Sequence, residues 1–170
     1  MTTHVTTATD ARIREIGGLE TTYLFDIAID LKPPLDIGPG PLGNRMFWPV
    51  IGGTFNGPKL RGEVLPGGGD WSLAAADGSG RVDVRLTLRT HDDALIHVTY
   101  TGRLNGPADV RARLMDPTQA GAVDPASYYF RTSPQFETGS AKYSWLNQVV
   151  AVGSGYLIDG GVAYRVFQID

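Results

Sequence analysis

Cysteine is absent from this 170-residue chain. That absence excludes disulfides, thiolate catalysis, iron–sulfur clusters and cysteine–zinc sites together. Charge is scarce too. Charged residues make up 19% of the chain, against about 25% in an ordinary soluble domain. Basic charge is not in excess: the net charge is -3 and the pI near 5.5. A nucleic-acid partner, which calls for a basic surface, is therefore not expected. No apolar run approaches the roughly 18 residues of a membrane-spanning helix. The opening stretch MTTHVTTATDAR has no apolar centre and does not read as a secretory signal. A cytoplasmic protein without a membrane partner is the expectation.

What the sequence does contain is alternation. Leu19, Thr21, Tyr23, Phe25, Ile27, Ile29 and Leu31 share one side of a period of two, as in a half-buried strand. Pro33 and Pro34 end it. Residues 36–44 read as a glycine–proline loop, 46–55 as a strand with an edge or bulge at Pro49, and 59–65 as a short strand. Pro66-Gly67-Gly68-Gly69 reads as a turn into a strand over 70–76. Residues 81–89 alternate cleanly, and strands are expected over 94–104, 128–138, 143–153 and 162–169. One helix is expected from Pro107, which suits a first helical turn, to Met115. Residues 1–17 read as a tail and 18–170 as one domain. Eight to ten strands at this spacing predict an all-β sandwich or a single closed antiparallel β-barrel with one short helix. Closure removes exposed edges, with the first and last strands as closing partners.

Few chemical motifs appear. Gly38, Gly40 and Gly43 match G-x-G-x-x-G, but prolines interrupt the loop and no helix follows, so a dinucleotide site is not expected. His4, His91 and His97 have no ligand spacing, so no metal is expected. There is no G-x-S-x-G serine elbow. Along 128–138 the alternation puts Tyr129, Arg131, Ser133, Gln135 and Glu137 on one side, and read as a strand 143–153 sets Tyr143, Trp145 and Asn147 together. Such a face suits a small-molecule wall. It suits equally a packed core in which Asn147 satisfies backbone. Arg81, Asp83 and Arg85 form a second polar face, either solvated or turned into a barrel lumen. Trp71, beside Asp70, reads as core or as a stacking surface.

The runs GGTFNGP (52–58), GEVLPGGGDW (62–71), DVR (83–85), YFRTSPQFET (129–138) and YSWLN (143–147) resemble the domain of unknown function 3237 family, also called uncharacterised protein family 0311. The resemblance begins near Leu19 and reaches the C-terminus. It implies a calycin-like β-barrel. It carries over Asp70, Trp71, Asp83, Arg85, Arg131, Glu137, Trp145 and Asn147. Ala94 departs from it, where glycine is frequent.

Two functions follow as expectations. The first is a cofactor-independent enzyme acting on a hydrophobic oxygenated metabolite: a cyclase, isomerase or lyase moving a proton, as in Michael-type cyclisation. Glu137 would accept the proton, Arg131 would steady the oxyanion, and Asp83 would serve as the next carboxylate. Asp70, Trp71, Arg85, Tyr129, Trp145 and Asn147 would hold the substrate, with Arg131, Glu137, Asn147, Trp71, Tyr129 and Trp145 lining one pocket. The second is a non-catalytic barrel that binds a small apolar or aromatic ligand. Low charge and many apolar strand positions also suggest a homodimer.

Overall fold

The computed structural model describes residues 10–14 and 16–170; residues 1–9 of the tail expected over 1–17, His4 among them, and Glu15 lie outside them. Ahead of Thr21 the described residues form no helix or strand. Nine strands and one α-helix follow in the order β1 (Thr21–Leu31), β2 (Leu35–Gly40), β3 (Gly43–Asn56), β4 (Arg61–Ala74), β5 (Gly80–Thr90), β6 (Leu95–Asn105), α1 (Ala108–Leu114), β7 (Tyr129–Glu137), β8 (Val150–Ile158) and β9 (Gly161–Ile169). No described helix is long and apolar enough to cross a membrane.

Every pairing is antiparallel. Neighbours run β1-β9-β8-β7-β6-β5-β4-β3, and β3 returns to β1. Eight strands therefore close into a barrel. The first and last strands do pair, from Thr21–Ile169 to Asp30–Gly161. β2 stands outside the closure. It takes over along β3 where β1 ends, pairing from Leu35–Phe47 to Gly40–Gly43. The β8–β9 turn is made by Asp159 and Gly160, the latter at φ 71, a conformation glycine adopts without a Cβ penalty.

The alternation of the sequence becomes the two faces of the wall. On β7, Phe130, Thr132, Pro134 and Phe136 are buried, while Tyr129, Arg131, Ser133, Gln135 and Glu137 are exposed. On β5 and β6, Val84, Leu86, Leu88, Ile96, Val98 and Tyr100 face inward with Phe25, Ile27 and Ile29. These apolar side chains fill the lumen, leaving a cavity of about 20 Å³, room for about one water.

A bulge between Tyr23 and Phe25 breaks the expected alternation of β1, so that Leu24 and Phe25 are both buried and Tyr23 leaves the side of Phe25, Ile27 and Ile29. Three further stretches differ from the sequence reading. The glycine–proline run after Pro34 is strand β2, because β3 extends beyond β1 and offers it a free ladder edge. Pro66-Gly67-Gly68-Gly69 does not reverse the chain. It is a bulge within β4, where the register shifts between Leu65 and Gly69; β3 shifts beside it between Pro49 and Thr54. A Cβ on Gly69 would collide with the Phe47 ring, so glycine lets that ring lie flat on the wall. Finally, residues 141–148 are a 3₁₀ segment rather than the start of a strand. The segment inserts Tyr143 and Leu146 into the core. It closes the barrel end that carries the β3–β4 and β5–β6 turns.

Candidate functional site

The expected site residues fall into three places. Arg131, Tyr129 and Glu137 share a side, as the alternation requires, but that side is the outer wall. Tyr129 is 54% exposed and lies under the Arg131 guanidinium at 5.2 Å. Glu137 is exposed at the plugged end, opposite His97. Trp71, Asp83 and Arg85 also lie on the outer wall. Trp71 is 37% exposed, stacks on Phe47 at 4.7 Å and carries Arg85 at 5.6 Å. Arg85 is paired with Asp83 at 3.2 Å.

Trp145 and Asn147 belong to the 3₁₀ plug. The Lys59 ammonium stands 5.3 Å over the Trp145 ring. The Asn147 side-chain oxygen accepts the Thr138 N–H at 2.9 Å, and its amide donates to the Thr138 carbonyl at 3.0 Å. Asn147 thus completes backbone bonding where β7 ends. Arg131, Glu137, Asn147, Trp71, Tyr129 and Trp145 therefore do not line one pocket, because the β7 parity and the 3₁₀ geometry separate them. Asn147→Ala is expected to lower stability by about 1–2 kcal/mol, the scale of two lost bonds to a partly buried backbone, as a shift of the urea midpoint. Loss of binding or rate without loss of stability would contradict this.

Asp70 is different. It pairs with Trp48 on β3 and Val84 on β5, Val84 pairs with Tyr100 on β6, and Tyr100 with Pro134 on β7. Directly paired residues share a face, so Asp70 joins the inward ring. The ladder between β4 and β5 is interrupted between Asp70–Val84 and Leu73–Arg81. The Asp70 carboxylate accepts the Asp83 N–H there, at 2.9 Å. Burial pushes the Asp70 carboxyl up from 3.8 to about 7, and the negative charge of Asp83 adds to the rise. The Asp83 N–H and the Arg45 cation oppose it less strongly. A carboxyl tuned near neutrality can take or give a proton at physiological pH.

Two tyrosines complete the site. The Tyr100 and Tyr164 rings meet edge to face at 5.4 Å, and Tyr164 also packs on Phe130 at 5.4 Å. Burial pushes both phenols up, and each feels the Asp70 charge. They stay protonated and can donate to an oxyanion. Trp48, whose indole N–H donates to the Ser72 hydroxyl at 3.0 Å, stands beside Asp70 in register. Ser72 lies two residues along the same face.

The inward side chains on the far side of this ring, Leu31, Val82, Leu104 and Leu157, are only partly buried. They mark the barrel end opposite the 3₁₀ plug. The crossover carrying α1 covers part of it, burying Val110 and Leu114. A larger concavity of about 420 Å³ lies outside, lined by Asn105, Pro107, Ser127, Tyr128 and Tyr129. It is an open groove whose lining contains no carboxylate. Tyr100 and Tyr164 escaped the sequence reading. The available signal was parity: Ile96, Val98 and Tyr100 alternate, which places a hydroxyl at a core position.

Comparison with known proteins fits this architecture. The chain is 34% identical over 151 residues to a UPF0311 protein of Rhodopseudomonas palustris, covering 89% of this chain and 97% of that one. A solved structure of a conserved protein of unknown function from Rhodopseudomonas palustris superposes with a TM-score of 0.85 at 32% identity, covering 91% of this chain and all of that one. A hydroalkoxylation enzyme of Penicillium herquei is 30% identical over 105 residues, 62% of this chain and 53% of that protein. The family described as "Protein of unknown function (DUF3237)" matches residues 19–169, and the chain belongs to that family.

Proposed function

We propose that this protein is a cofactor-free enzyme that relocates a proton on an apolar, oxygenated small molecule held at the barrel mouth, with Asp70 as its acid–base group. The observation that carries this reading is the position of Asp70: a carboxyl raised to about 7, inward on an apolar lumen, with two protonated tyrosines across from it. In this role Asp70 removes a proton from a substrate hydroxyl or carbon. The Tyr100 and Tyr164 hydroxyls steady the negative oxygen, and Asp70 returns the proton elsewhere on the same molecule. Addition of a hydroxyl across a conjugated carbon–carbon double bond balances this way. One O–H and one π bond are lost, one C–O and one C–H bond form, and no electrons leave the molecule. The partial likeness to a hydroalkoxylation enzyme supports this class. Arg131, Glu137 and Asp83, which the sequence reading set in the chemical roles, stand on the outer wall and take no part in this proposal.

The test uses an apolar phenol carrying an α,β-unsaturated ketone, such as 2′-hydroxychalcone, which closes by adding its hydroxyl across the double bond. Ring closure and deuterium uptake from heavy water at the α-carbon are followed with wild type and with Glu137→Gln. Both proteins should accelerate closure equally over buffer. Loss of acceleration in Glu137→Gln, with its fold intact, would move the chemistry to the outer wall and overturn the assignment to Asp70.

A further inference from the structure

On the outer wall Arg81, Arg103 and Arg131 stand in one cross-strand row. Arg81 pairs directly with Arg103, and Arg103 with Arg131. All three are exposed. Adjacent strands lie about 4.8 Å apart, so the three arginine backbones fall within about 10 Å of one another. Like charges directly opposite on a sheet face destabilise it.

Three other wall arginines are neutralised, whereas Arg45 and Arg61 take no salt bridge among the described residues. Arg85 is paired with Asp83, Arg89 with Glu63 and Arg165 with Asp26. Among the described residues no salt bridge reaches Arg81, Arg103 or Arg131. Arg103 donates to the Gly102 carbonyl at 3.0 Å and Arg131 to the Phe130 carbonyl at 2.9 Å. Those bonds hold the heads and leave most of each five-donor fork free. One step along the same face, Thr101 and Ser133 are paired neighbours on β6 and β7 and set two hydroxyls beside the row. The row is interrupted at Leu73 on β4, beyond which Arg45 on β3 donates to the Trp71 carbonyl at 2.7 Å, and at Ser154 on β8, beyond which Arg165 is already paired. It is a short patch of fixed cations on a chain of net charge -3, bounded like a small-molecule site.

We propose that this row binds a small polyanion carrying two or three carboxylate or phosphate groups. Guanidinium forks match both groups bidentately, and the ligand offsets the repulsion built into the row. The site faces outward from the wall, away from Asp70, and does not depend on the chemistry proposed for the mouth.

Calorimetric titration tests it, using citrate, tripolyphosphate and acetate at about 0.15 M sodium chloride, where long-range charge effects are screened. Wild type should bind citrate or tripolyphosphate at one site per chain and acetate at least about tenfold more weakly. The tighter of the two polyanions assigns carboxylate or phosphate as the ligand chemistry. Arg103→Gln, which removes the central cation, should weaken that binding at least about tenfold, the scale of one charge-assisted hydrogen bond. Without anion it should melt no lower than wild type, because repulsion is relieved. Arg81→Gln, at the row's end, provides the same comparison if Arg103→Gln does not fold. Absence of saturable binding to wild type, or equal binding by the variants, would overturn the proposal.

Discussion

Asp70→Asn is expected to make the protein more stable at pH 8 and to remove its turnover. The carboxyl titrates at 3.8 in an unconstrained chain and at about 7 in the fold. Below about pH 4 both states hold the proton, and the group costs nothing. Between about pH 4 and pH 7 the unfolded chain has released it while the folded chain keeps it, so stability falls as pH rises. Above pH 7 the folded carboxyl ionises too and the loss levels off, at up to about 4 kcal/mol. Asparagine cannot ionise and keeps an oxygen to accept the Asp83 N–H. Its melting temperature at pH 8 should exceed that of wild type by about 10 °C, at about 2–4 °C per kcal/mol for a chain of this size. The difference should vanish near pH 4. Turnover of the phenolic enone should fall by about 10²-fold or more. A group kept at such a cost to stability is the pattern of a functional residue. A variant less stable than wild type at pH 8 would mean that the carboxylate is a structural acceptor.

Leu146→Ala is expected to cost about 3 kcal/mol, within the range for deleting a fully buried leucine, seen as a lowered urea midpoint with an unchanged slope. Leu146 has no exposed surface and sits with Tyr143 in the core. The plug that carries it is fastened from several sides. Lys142 reaches Asp92 at 2.7 Å, the Tyr143 hydroxyl donates to Asp92 at 2.8 Å, and Asn147 binds Thr138 on both backbone groups. The cavity left by alanine therefore cannot close by a shift of the segment. A small cost, under about 1 kcal/mol, would show that the plug is loosely seated.

The sequence made the barrel legible because its signal is local. Alternation over Phe25–Ile29, Gly80–Thr90 and Tyr129–Glu137 needs no partner to be read, whereas the bulge between Tyr23 and Phe25 that puts Tyr23 off the expected face could not be seen without β9. The helix at Ala108–Leu114 followed from Pro107 for the same reason. The plug was not legible. Tyr143, Trp145 and Asn147 alternate as well as any strand, and only tertiary contacts with Asp92 and Thr138 hold them in a 3₁₀ turn. The bulge at Pro66–Gly69 looked like a reversal because a turn and a bulge use the same residues. The candidate site was legible only in part, for a different reason. Alternation tells which residues share a face but not which face is inside. Tyr129, Arg131 and Glu137 were grouped correctly and lie outside. Asp70, next to a bulge that breaks its strand's parity, could not be assigned to the lumen until its pairing with Val84 was known.

The acid–base role of Asp70 is tested most directly by carbon-13 NMR of aspartate side-chain carboxyls across pH 3 to 9, in wild type and Asp70→Asn. One aspartate resonance titrating near pH 7, absent from the variant, is the expected result. If every aspartate resonance titrates below about pH 5, the Asp70 carboxylate is ordinary and ionised throughout, and the mouth of the barrel has no acid–base group.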